Sequence, residues 1–183
     1  MLRKIRAAMK ERDSAYMLSG IVEMDDAYFG APSKGKDGRG TNKAKAVIAL
    51  SKDERNHPAF LRIEVIDQVS IEEIERVAKA CVKPGSKIVT DGHSSYKPLA
   101  DMGYVHESKA YYKEDKDDFL KMLHIIIGNV KAYIQGTYHG LGPKYLQSYF
   151  DEFCFRFNRR FNPNEIFDRL LNACVLATPH PVP

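Results

Sequence analysis

The sequence predicts an α/β fold built on a mixed sheet, and three features predict it. Three apolar segments, residues 20–30, 44–52 and 59–67, follow one another with only turn-forming residues between them, the pattern of an antiparallel meander. A capped amphipathic segment then leads into a short apolar run at 86–91, which returns the chain to the sheet. From about residue 117 to 177 the apolar spacing is helical. With 183 residues the chain has the length of one domain.

Residues 1–19 are basic and read as a helix or arm ahead of a domain spanning 20–178. The opening MLRKIRAAMKERDSAYML lacks an apolar core and a small-residue cleavage site, so no signal peptide is expected. No apolar run approaches the ~18–20 residues that span a bilayer. A cytoplasmic protein with no membrane partner is therefore expected. GIVEMDDAYFG (20–30) reads as the first strand and AKAVIALSK (44–52) as the second. Between them, APSKGKDGRGTNK is rich in Gly, Pro and Lys and reads as a connection. AFLRIEVID (59–67) follows the turn at Asn56–Pro58. Ser70, with Glu73 three positions on, forms a capping box for a helix whose face is Ile71, Ile74, Val77 and Ala78. Pro84 and Gly85 stop it. SKIVTD is the fourth strand, Tyr96–Met102 a helical turn or two, and 103–109 a last strand. Phe119, Leu123, Ile126, Val130 and Tyr133 mark one helix, ended by Gly136. Phe150, Phe153, Phe157 and Phe161 mark a second, ended by Pro163, and Glu165–Ala177 forms a third. Three antiparallel strands followed by αβ units is the ribonuclease-H-like order.

Cys81, Cys154 and Cys174 are odd in number and form no C-x-x-C pair. That excludes a zinc ribbon and a disulfide framework and predicts buried thiols. The net charge of +4 is too mild to name a partner, but its distribution is uneven. Lys34, Lys36, Arg39, Lys43 and Lys45 face only Asp37 in their stretch, and Arg156, Arg159 and Arg160 form a second cluster. Acids gather near Glu72–Glu75 and Glu114–Asp118. Such separation suits a polyanionic ligand, or a solvated surface.

The chemistry-bearing candidates are acids on strands. Asp25 and Asp26 interrupt an apolar strand, and burying a carboxylate is costly unless it is paired or bound to a cation. Alternation allows only one of the two to face a given site. Asp91 ends the fourth strand, at the carboxyl end where α/β sheets bind ligands. Two carboxylates brought together from separate strands repel, and a divalent cation between them relieves the repulsion. His124 and Lys131 stand nearly two helical turns apart, on one face.

These residues carry a resemblance. VEMDDAYFG, GRGTNKAKAV, IVTDGHSSY, GYVH, VKAYIQGTYHGLGPKYL and YFDEFCFRFNRRF occur in this order across residues 20–172, and together they resemble the catalytic domain of DDE-type insertion-sequence transposases of the ISXO-like group. The resemblance implies a ribonuclease-H-like fold, two Mg²⁺ or Mn²⁺ ions, and cleavage and joining of double-stranded DNA at transposon ends and target. It matches Asp25 to the first metal-binding acid and Asp91 to the second. His124 falls where the third ligand is usually Glu or Asn, and Lys131 matches the basic residue beyond it. Imidazole in that place moves the preference toward Mn²⁺. Lys131 and the 34–45 cations would hold DNA phosphates, with Arg156, Arg159 and Arg160 as further contacts. A homodimer or larger assembly on DNA is implied. The residues leave two other functions open, a remnant that only binds DNA or a partner, and a ribonuclease-H-like nuclease without strand transfer.

Overall fold

The computed structural model describes residues 1–30, 43–109, 119–138 and 141–178. Its five strands are β1 (Ile21–Phe29), β2 (Ala44–Lys52), β3 (Pro58–Ile66), β4 (Lys87–Asp91) and β5 (Val105–Lys109). They lie in the order β3-β2-β1-β4-β5, so the first strand is central. β1, β2 and β3 pair antiparallel, whereas β4 joins β1, and β5 joins β4, in parallel. This is the mixed, ribonuclease-H-like sheet that the element order predicts.

The helices are α1 (Leu2–Ser14), α2 (Ile71–Cys81), α3 (Lys121–Thr137), α4 (Pro143–Phe157) and α5 (Ile166–Leu176), with a 3₁₀ segment at Ser94–Met102. Alternation along the strands sorts two cores. Val22, Met24, Val47 and Ala49 pack against Ile74, Val77 and Ala78 of α2 and against Tyr96 and Leu99. Ala27, Phe29, Ile48, Leu50 and Ile63 pack against Leu123, Ile126 and Val130 of α3 and Phe150 of α4. Ser70 caps α2 as expected, its Oγ accepting from the Glu73 amide at 3.4 Å, a contact worth roughly 1 kcal/mol.

An edge strand exposes unpaired backbone groups, and on β3 α4 satisfies several of them. Gln147 accepts from the Val65 amide at 2.7 Å and donates to the Ile63 carbonyl at 2.9 Å. Asn158 does the same for both groups of Leu61, at 2.7 and 3.1 Å.

Residues 1–14 are built into the same body as the sheet. Met9 packs with Phe155 and Ala173. Arg6 meets Glu152 at 2.7 Å, and Asp13 meets Arg159 at 2.7 Å and Asn158 at 3.1 Å. Partners advance together along both helices, so α1 and α4 run parallel.

Three expectations change. Cys81 and Cys154 are buried, but Cys174 is exposed. Phe161 is 75% exposed because α4 stops at Phe157, and Arg160 stacks on both rings, at 3.9 and 4.2 Å. Arg159 and Arg160, expected among the further DNA contacts, lie against the phenylalanine rings instead of extending into solvent. Arg159 lies 3.6 Å over the Phe155 ring, 9% exposed, with its donors on Asp13 and the Phe155 carbonyl. Arg160 donates to the carbonyls of Pro58, Ala59 and Phe157. Their guanidinium groups are used inside the fold.

Candidate active site

Asp25 and Ala27 both point from β1 toward α3, and alternation sends Asp26 to the opposite face. The Asp25 carboxylate is fixed by two contacts. Its Oδ1 accepts from the Asp26 amide at 2.8 Å, and its Oδ2 lies 3.2 Å from His124 Nε2. Ninety-nine residues apart in sequence, the strand acid and the helical imidazole meet directly. The Asp25 side chain is 16% exposed and that of His124 41%, so water and solutes reach the pair.

A cleft of about 330 Å³ opens on this contact, lined by Asp25, Asp26, Ala27, Tyr28, His124, Ile127, Gly128 and Lys131. His124 and Lys131 thus share one wall, as their spacing predicts. Gly128 lies between them, and a Cβ there would enter open space. The glycine costs the helix up to about 1 kcal/mol and keeps the wall low between imidazole and ammonium. The signal was a glycine inside an otherwise strong helical segment, at i+4 from His124 and i−3 from Lys131.

Asp91 stands apart from this contact. The β1–β4 register runs to Met24 opposite Thr90, and one further step sets Asp91 beside Asp25 on neighbouring strands, ~5 Å across the sheet. Val89 packs with the core on the α3 side, so Asp91 shares the face of Asp25. It does not line the cleft, and its Oδ1 accepts from the His93 amide at 3.1 Å. The end of β4 is held from behind. Thr90 Oγ1 donates to the Asp91 carbonyl at 2.8 Å and so takes its bond from His106 Nε2, 2.9 Å away. Burial lowers the pKa of His106, favouring the neutral ring.

Among the described residues, no group of three or more His, Cys, Asp or Glu converges as a metal site. The two carboxylates suit a hard divalent cation, and the imidazole of His124 suits a softer one. Asp25 Oδ2 and His124 Nε2, 3.2 Å apart, are the two groups that would share such an ion. Asp91 retains Oδ2 as a second carboxylate donor one strand away.

The remaining predicted cations fall into three groups. Lys34, Lys36 and Arg39 lie outside the described residues. Lys45 donates to the Asp67 carbonyl at 2.9 Å, and Lys43 sits half-buried beside Gly30, whose φ of 151° ends β1. Arg156 pairs with Glu152 at 2.9 Å while its side chain stays 63% exposed. A larger hollow of about 590 Å³, bordered by Arg12, Tyr16, Phe60 and Asn172, lies elsewhere, and none of Asp25, Asp91, His124 or Lys131 lines it. No described helix is long and apolar enough to cross a membrane.

Comparison with known proteins bears on this site. The family model described as ISXO2-like transposase domain matches residues 17–158, a span that holds Asp25, Asp91, His124 and Lys131. No curated protein matches the chain. Among solved structures, the chain is similar to the catalytic core domain of BIV integrase, at 11% identity and a TM-score of 0.45, over 85% of this chain and 95% of that one. It is also similar to the Mos1 mariner paired end complex with Mn, at 11% identity and a TM-score of 0.31, over 95% of this chain and 61% of that one.

Proposed function

This chain belongs to the ISXO2-like transposase domain family, and from that premise we propose that it cleaves DNA strands and transfers them, using a divalent-metal site at Asp25, Asp91 and His124. The observation that carries the reading is the 3.2 Å meeting of Asp25 and His124 at a solvent-open cleft that Lys131 also lines.

Each residue has a role set by its chemistry. Asp25, at the middle of β1, and Asp91, at the carboxyl end of the neighbouring β4, would supply carboxylate oxygens, and His124 a ring nitrogen. Asp25, Asp91 and His124 would hold divalent Mg²⁺ or Mn²⁺, which would supply activation of a hydroxyl nucleophile and neutralisation of the leaving oxygen. The imidazole donor favours Mn²⁺ over Mg²⁺. Lys131 holds a phosphate oxygen next to the scissile bond, and Gly128 leaves room for the backbone to approach. Lys43, Lys45 and Arg156, with Lys34, Lys36 and Arg39, belong to the same proposal as contacts to flanking phosphates. A dimer or larger assembly on double-stranded DNA is part of it, because joining two ends requires both to be held.

The test is nicking and joining of supercoiled plasmid with Mn²⁺. Wild-type protein should nick, and Asp25→Ala or Asp91→Ala should lose the activity at least ~10³-fold, a loss of ~4 kcal/mol in transition-state stabilisation. His124→Glu should shift the preference from Mn²⁺ toward Mg²⁺. Equal nicking by wild type and both alanine variants sinks the reading. Nicked but never joined product reduces it to a nuclease.

A further inference from the structure

The seam between α1 and α4 neutralises its charges, except at its first turn. Arg6 stacks 3.9 Å over the Tyr149 ring while its Nε binds Glu152 at 2.7 Å. One turn earlier, Arg3 repeats the stacking without the acid. Its guanidinium lies 5.6 Å from the centre of the Tyr145 ring, and the Lys144 ammonium lies 5.7 Å from the same centre. The ring is 43% exposed. Among the described residues neither cation has a carboxylate partner. Two like charges are therefore held at one exposed aromatic ring with no carboxylate among the described residues to neutralise them.

We propose that Arg3, Lys144 and Tyr145 contact the phosphate backbone of duplex DNA at a surface separate from the Asp25–His124 cleft. Two cations that converge without an acid repel each other, and a phosphate relieves that repulsion. The Tyr145 hydroxyl adds a donor of the kind that fixes a duplex by its backbone. The patch and the cleft are linked by α3. Lys131, on the cleft wall, is seven residues before Tyr138, or ~10 Å along the helix at 1.5 Å per residue. The Tyr138 ring packs 4.4 Å from that of Tyr149, one helical turn from Tyr145. The patch is thus connected to the cleft through α3 and the Tyr138–Tyr149 ring contact. This inference rests on the cleft's being a DNA site, but its test needs no catalysis.

Binding of the whole chain to a 25-base-pair duplex is measured by fluorescence anisotropy in EDTA, across salt concentrations. The Arg3→Gln/Lys144→Gln double variant should flatten the log Kd against log salt slope by ~1.8, because each lost phosphate contact removes ~0.9. Its affinity at low salt should fall about tenfold or more. The Arg55→Gln/Lys83→Gln double variant, which removes two exposed cations elsewhere, should keep the wild-type slope. Tyr145→Ala should weaken binding while leaving the slope nearer to wild type than the Arg3/Lys144 variant does. The proposal is overturned if wild type fails to bind the duplex, if the Arg3/Lys144 slope matches wild type, or if both double variants flatten it equally. All variants change exposed side chains, and unchanged melting temperatures exclude misfolding as the cause. A protein that binds with the predicted slopes but never nicks plasmid sinks the catalytic reading and leaves this one standing.

Discussion

Asp13 and Asp25 are both partly or fully buried aspartates that meet a basic side chain from a distant helix, yet their surroundings differ in kind. Asp13 meets Arg159 at 2.7 Å, both side chains 9% exposed, and also accepts from Asn158. Arginine stays protonated at any pH the fold survives, so the contact is permanent. Asp25 meets His124 at 3.2 Å, and the imidazole is 41% exposed. In the proposed function a cation arriving from solvent would take both groups as ligands. The seam uses a permanent charge and exclusion of water to fix α1. The cleft instead keeps its imidazole within reach of water.

The largest effect should appear when the same change is made at both places. Asp25→Asn removes the carboxylate charge and should cost at least ~10³-fold in Mn²⁺-dependent nicking, with little change in thermal stability because asparagine keeps an oxygen for the Asp26 amide. Asp13→Asn should do the reverse, leaving activity per folded molecule near wild type while lowering stability. Equal losses of stability in the two variants would erase the distinction drawn between seam and cleft.

Asp13→Ala sharpens the seam half. Removing one partner strands the buried Arg159 guanidinium, and breaking a buried pair this way costs ~3–5 kcal/mol. For a chain of this length that is a fall of about 10 °C in melting temperature. Arg159→Met, which removes charge but keeps the stem over Phe155, should cost less than Arg159→Ala.

Much of the fold could be read in the chain because local and global signals agree. The Ser70 cap, the Pro84–Gly85 stop and the three apolar runs each lie within a few residues of the observed boundaries. The candidate site was legible to the extent that periodicity reaches. Spacing puts His124 and Lys131 on one helical face, and alternation says that only one of Asp25 and Asp26 can face them. Neither rule says which face of β1 meets α3, because that depends on packing between elements a hundred residues apart. The arginine cluster shows the other side of this limit. In sequence, Arg156, Arg159 and Arg160 look alike. In the fold, Arg159 meets an aspartate from the first helix and Arg160 meets carbonyls at the start of β3, and only Arg156 keeps most of its side chain in water. Charge in a sequence reports a partner only when the fold has not already supplied one.

A smaller prediction concerns Asp151, which sits on α4 between the seam and the sheet edge. Burial pushes its carboxyl up to about 6, against an ordinary 3.8, and the bond from Gln147 at 2.9 Å offsets this only in part. A raised native pKa means that the folded state holds the proton more tightly than the unfolded chain. Its contribution is therefore favourable below pH ~4 and is lost as pH rises through about 6. A rise of about two pKa units corresponds to at most ~3 kcal/mol. Because Asp151 keeps partial contact with water, ~1–2 kcal/mol is the expected effect. Asp151→Asn keeps an oxygen for Gln147 and removes the charge, so it should stabilise the protein by that amount at pH 7 and have almost no effect at pH 4. Urea unfolding at the two pH values measures the difference. A variant equally stabilised at both would mean that packing, not the ionised carboxylate, separates Asp151 from asparagine.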